Sequence, residues 1–131
     1  MIVVDVNVIA YLLIPGRFTT RAEHLLESDP IWAAPRLWRS ELRNILATYV
    51  RTGQIELHDA LDLFQRAADL IAGEEYEVET PAVLRLCKES GCSAYDCEYV
   101  ALAEFLDQEF VTADRKLASA FPHRARILVT A

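Results

Sequence analysis

Five acidic residues sit where packing alone gives little reason for them. Asp5 follows the apolar run Ile2-Val3-Val4, and Asp114 closes the run Phe110-Val111-Thr112-Ala113. Short continuous runs of this kind read as strands covered on both faces. Each acid therefore falls just past the carboxyl end of a strand, where open parallel α/β sheets hold their ligands. Glu41 stands four residues from both Leu37 and Ile45, in line with the apolar stripe of a helix. Asp96 and Glu98 interrupt the most apolar helical stretch, Ser93 to Leu106. Two residues apart on a helix, they point about 200° apart. At most one faces inward, and periodicity does not choose between them. Gathered carboxylates repel one another and call for a cation. Oxygen donors without His or Cys suit a hard ion, Mg²⁺ or Mn²⁺, and disfavour zinc. Such ions polarise phosphate oxygens and activate water, so phosphodiester hydrolysis is the reaction this set fits. Each acid also has a plainer reading. Asp5 and Asp114 suit turns or caps, and Glu41 suits an ion pair with a nearby arginine at the edge of its stripe.

The elements that must position these acids alternate between strand and helix. Asn7 is placed to cap a helix starting at Val8, and Thr19 or Thr20 a second one after the turn at Pro15-Gly16. Ile31 to Ala34 reads as a strand, with Pro35 opening the next helix, which runs from about Leu37 to Val50. A helix over Leu57 to Ala72 turns Ala60, Leu61, Phe64, Ala67, Ala68 and Ile71 inward. Glu75 to Val78 alternates like an edge strand, and Thr80-Pro81 starts a helix that Gly91 ends. Arg115 to Phe121 is a short helix and Ile127 to Val129 a last strand. This order predicts one three-layer α/β domain over residues 1–131, with a mostly parallel sheet.

Other chemistries find less support. His24, His58 and His123 are scattered without metal-ligand spacing and are expected at the surface. Cys87, Cys92 and Cys97 form neither a CxxC pair nor a zinc pattern, which suits reduced packing residues in a cytoplasmic protein. No apolar run reaches membrane-spanning length, and the start lacks the pattern of a secretory leader, so no membrane association is expected. There is no nucleophile elbow and no glycine-rich phosphate loop.

The segments VVDVNVI, SELRNIL, SAYDCEYVALAE and FVTADRKLA resemble, in order, the four acidic motifs of PIN-domain nucleases. The likeness is nearest to the VapC-type toxins of toxin–antitoxin pairs and spans essentially the whole chain. The resemblance assigns the four acids to Asp5, Glu41, Asp96 and Asp114, and so favours Asp96 over Glu98. It places Thr112 and Asn7 in supporting positions. Val6 departs from the small or hydroxyl residue frequent there, which removes a possible hydrogen bond but no ligand. By this resemblance the fold is a parallel five-stranded sheet with the first strand central. The implied activity is endoribonuclease with Mg²⁺ or Mn²⁺ as cofactor and Asp5, Glu41, Asp96 and Asp114 as its ligands. RNA is the implied substrate, a cognate antitoxin and a second copy of the chain the implied partners. A PIN nuclease of RNA processing without an antitoxin, and a non-catalytic PIN-like binding module, are the alternatives.

The charge distribution bears on how an acidic chain of net charge −7 would hold RNA. Residues 54–80 carry eight acids and one base, and the remainder balances to zero. Four acids withdrawn into a metal site leave that remainder cationic. Arg39 and Arg43 beside Glu41, with Arg115 and Lys116 beside Asp114, are therefore expected to receive RNA, with the acidic segment pointing away.

Overall fold

β1 (Ile2–Val4) is the middle strand of the sheet, and the computed structural model, which describes residues 1–128, pairs it in parallel with β2 (Trp32–Pro35) and β4 (Phe110–Thr112). β3 (Glu75–Tyr76) extends the sheet beyond β2, and β5 (Ala125–Ile127) extends it beyond β4, again in parallel. The order is β3-β2-β1-β4-β5. The chain builds one half outward from β1, then returns to build the other half. Strand order therefore reverses between β1 and β4, and a crevice opens at the carboxyl ends of these two strands.

Ile2, Val3 and Val4 are buried, as are Phe110 and Val111, because helices cover both faces of a parallel sheet. α6 (Ala94–Leu106) packs on β1, β2 and β4, with α5 (Thr80–Ser90) behind it. α1 (Val6–Leu13) packs against α2 (Thr19–Ser28), α3 (Trp38–Arg51) and α4 (Leu57–Ile71). α7 (Arg115–Ala120) lies on β4 and β5. Trp32, Trp38, Tyr99 and Phe110 are the bulkiest fully buried side chains and tie both layers to the sheet.

Local details differ from the sequence expectations. α1 begins at Val6, so Asp5 holds the cap position expected of Asn7, and Asn7 is left exposed in the first turn. Thr19 does not cap α2, whose N-cap is Phe18. Its hydroxyl instead accepts from the Gly16 amide and donates to the Tyr11 carbonyl, tying the turn to α1. Pro35 closes β2 rather than opening α3. Leu61 faces solvent at 63% exposure, because α4 seats its small residues Ala60 and Ala67 against the body of the protein. β5 ends at Ile127, and Val129 lies outside the described residues.

Candidate active site

Asp5 occupies the head of the crevice. Its backbone continues the sheet, the Asp5 amide donating a hydrogen bond to the Val111 carbonyl, and its own carbonyl accepts from the Val8 amide to start α1. The carboxylate is thereby held inside the fold, where Asp5 and Thr112 stand out as buried polar residues. The Thr112 hydroxyl donates to Asp5 Oδ2 at 2.7 Å and accepts from the Asp114 amide at 3.1 Å. One threonine thus links the two strand-end acids. Asp114 also caps α7, its Oδ1 accepting from the Leu117 amide. The plainer reading of this residue as a cap therefore holds, while its Oδ2 accepts no hydrogen bond from the described residues.

Glu41 reaches the crevice from α3 and Asp96 from the first turn of α6, where Ser93 caps the helix by accepting from the Asp96 amide. Among the described residues Glu41 has no arginine partner. Its Oε1 accepts from the Tyr99 hydroxyl at 2.6 Å. Tyr99 lies three residues beyond Asp96 and thus on the same side of α6. In the sequence it passes for one more apolar core residue, and only that helical spacing marks it.

Electrostatics show how closely the acids gather. Burial pushes the Asp5 carboxyl up, and Asp96 adds to the rise, while Thr112 and the amides at the start of α1 oppose it. Burial also raises Glu41, against the Tyr99 bond, with Asp5, Asp96 and Glu98 adding repulsion. Asp96 is raised by burial and by Asp114, and Glu98 by burial. The Tyr99 hydroxyl is raised strongly by burial and by Glu41, so it stays a donor. Every partner of the inner acids is a neutral donor. Among the described residues no lysine or arginine pairs with Asp5, Glu41, Asp96 or Asp114. The donor set is all oxygen. In the present conformation no three acids, His or Cys among the described residues close tightly enough to enclose an ion by themselves.

Asp5, Glu41 and Asp96 repel one another pairwise, and Asp114 joins them through its repulsion of Asp96 and through Thr112, which bonds to it and to Asp5. Asn7 and Glu41 line an open groove of about 540 Å³ beside the acids, together with Leu37, Ile45 and Tyr95. Leu37, Glu41 and Ile45 thus share one face of α3, as their spacing requires. The four cationic positions fare differently. Arg115 and Lys116 are exposed beside Asp114. Arg39 is bound to Glu75 at 2.6 Å, and Arg43 lies over the Phe64 ring on α4. Both point away from Glu41, because two residues on a helix turn a side chain by about 200°. The expected separation of the acidic segment from these arginines therefore fails at Glu75, which belongs to that segment and holds Arg39.

The model of the PIN domain family matches residues 2–121. The chain is also similar to Ribonuclease VapC3 of Pyrobaculum aerophilum, 27% identical over 124 residues that cover 92% of this chain and 95% of that protein. Its fold is similar to the crystal structure of PAE2754 from Pyrobaculum aerophilum, with a TM-score of 0.76 at 22% identity over 96% of this chain and 89% of that one. It is similar as well to a chain of a toxin–antitoxin complex from Klebsiella pneumoniae, with a TM-score of 0.74 at 17% identity over 100% of both chains. At these identities the two structural likenesses establish the fold.

Proposed function

This chain belongs to the PIN domain family, and from that premise we propose that it is a metal-dependent endoribonuclease whose metal site is formed by Asp5, Glu41, Asp96 and Asp114. The observation that carries the reading is the Asp5 carboxylate: buried, repelled by Asp96 and bonded to a threonine rather than to a cation. Such a cost is relieved by protonation or by a cation, and a cation drawn from outside the chain relieves it while keeping the charge. The donor chemistry fits Mg²⁺ or Mn²⁺, which retain water ligands and so do not require a closed protein cage. When bound, such an ion polarises a phosphate oxygen and makes a water more acidic. The chain's own residues do the rest. Thr112 fixes the Asp5 carboxylate through Oδ2, Tyr99 holds Glu41, and Asn7 lies exposed beside Glu41 in the groove.

RNA as substrate is supported by the similarity to a ribonuclease. Control by a protein partner of antitoxin type is supported by the fold's likeness to a toxin–antitoxin chain. Arg115 and Lys116, exposed beside Asp114, are suited to a phosphate of the bound strand. The test is cleavage of RNA by the purified protein with Mg²⁺ or Mn²⁺ and with a chelator. Metal-dependent internal cleavage is expected. Cleavage that survives chelation, or RNA left intact with every divalent ion, overturns the reading.

A further inference from the structure

The groove at Glu41 does not end there. A second recess of about 250 Å³ shares Asn7 and Ile45 with it and continues along α1 to Arg17 and Phe18. From Asn7 to Ile14 the helix rises about 10 Å, long enough to run beside a short stretch of nucleic-acid backbone. The two ends of this path carry different chemistry. At the acid end, Tyr95 lines the groove beside Glu41 and is 63% exposed. An exposed ring next to a phosphodiester site offers a face on which a base can stack. At the far end, Arg17 and Arg21 both lie over the Phe18 ring, at 4.7 and 5.1 Å from its centre. Arg36, Arg39, Arg85, Arg124 and Arg126 are paired with carboxylates. Arg17 and Arg21 have no such partner among the described residues. Two like charges set on one ring, with their donors uncommitted, make a receptor for an anion.

We propose that this groove carries one arm of a single-stranded RNA, with a base stacked on Tyr95 and backbone phosphates held by Arg17 and Arg21. The inference rests on the ribonuclease reading and adds the direction in which the strand leaves the acids. Arg17, Arg21 and Tyr95 are positioning residues, remote from the reacting phosphate or in contact only with a neighbouring base.

The experiment measures anisotropy of a labelled 12-nucleotide single-stranded RNA on the intact protein in chelator, across a salt series, followed by steady-state cleavage with Mn²⁺. Arg17→Ala and Arg21→Ala are each expected to weaken binding about fivefold and to flatten the salt slope by about 0.7, the value for one phosphate contact on a single strand. Tyr95→Ala is expected to weaken binding about tenfold with the salt slope unchanged. In cleavage, all three raise KM and leave kcat alone, and Arg17→Lys retains most of the slope. Unchanged urea midpoints separate these effects from unfolding. Wild-type binding and cleavage with none of the three variants altering KM or slope overturns the path while leaving the ribonuclease reading intact. A protein that neither binds nor cuts RNA overturns both.

Discussion

Glu75 and Asp5 are carboxylates largely withdrawn from water, and the fold treats them in opposite ways. The side chain of Glu75 is 15% exposed, and desolvation alone would raise its pKa. Arg39 and Trp38 donate to its Oε2, each at 2.6 Å, and Arg36 stands over its other oxygen at 3.4 Å. Together they hold it below the usual glutamate range. Asp5 receives one hydroxyl and has other acids for neighbours, and its pKa is raised. The Glu75 cluster is complete within the chain and fastens β3 to α3 at the edge of the sheet. The Asp5 cluster lacks its positive charge, and the strand-order reversal holds it open in a crevice. One is a closed ion-pair cluster; the other, on the function proposed above, gives up stability to accept a cation from outside.

The comparison can be broken by exchanging carboxylate for amide at each place. Asp5→Asn keeps the shape and the Thr112 bond but removes charge. RNA cleavage is expected to fall about 10³-fold or more, the scale of the several kcal/mol a metal supplies to the transition state. The metal-free protein should at the same time gain about 1 kcal/mol of stability, because a desolvated charge disappears. Urea unfolding in chelator reads that gain. Asp96→Asn should abolish cleavage while Glu98→Gln leaves it near wild type, since Asp96 is coupled to both strand-end acids and Glu98 to neither of them. Equal losses in the two variants would place Glu98 inside the site.

At Glu75 the expected result is reversed. Glu75→Gln leaves Arg39 without its counterion and should lower stability by about 1 kcal/mol, a charged hydrogen bond discounted for solvent screening of the arginine. Cleavage per folded molecule should not change. The smallest effect is in pH. The metal-free contribution of Asp5 is fully present below its ordinary value of 3.8 and is lost as pH rises through the raised folded value. Stability should therefore decline across that window, and Asp5→Asn should flatten the decline. The contribution of Glu75 runs the other way. It is present above 4.5 and is lost as pH falls through the lowered folded value. Chemical denaturation of wild type, Asp5→Asn and Glu75→Gln at several pH values separates the two slopes.

The fold was legible because its strongest signals were buried on both sides. Ile2-Val3-Val4 and Phe110-Val111 admit few readings other than inner parallel strands, and the acid after each followed from strand direction alone. Glu41 was legible from its spacing to Leu37 and Ile45. Asp96 was not separable from Glu98 by period, and the motif likeness supplied that choice. What stayed hidden depended on pairs distant in sequence. Tyr99 meets Glu41 across 58 residues, and Glu75 meets Arg39 across 36. No local period encodes either contact. Charge counting by segment failed for that reason: an acid-rich stretch need not face away from arginines when one of its acids is their partner. The Asn7 cap was misplaced because Asp5 itself is the N-cap, with the strand ending one residue before it.

The central claim is that the acid cluster is a receptor for a divalent cation. Calorimetric titration of Mn²⁺ into the metal-free protein at several pH values tests it most directly. Saturable binding is expected, weakening as pH falls because carboxyls raised by burial and mutual repulsion bind protons in competition with the ion. The binding should weaken sharply in Asp5→Asn and persist in Glu75→Gln. The absence of saturable binding, or binding that Asp5→Asn leaves untouched, would contradict the account.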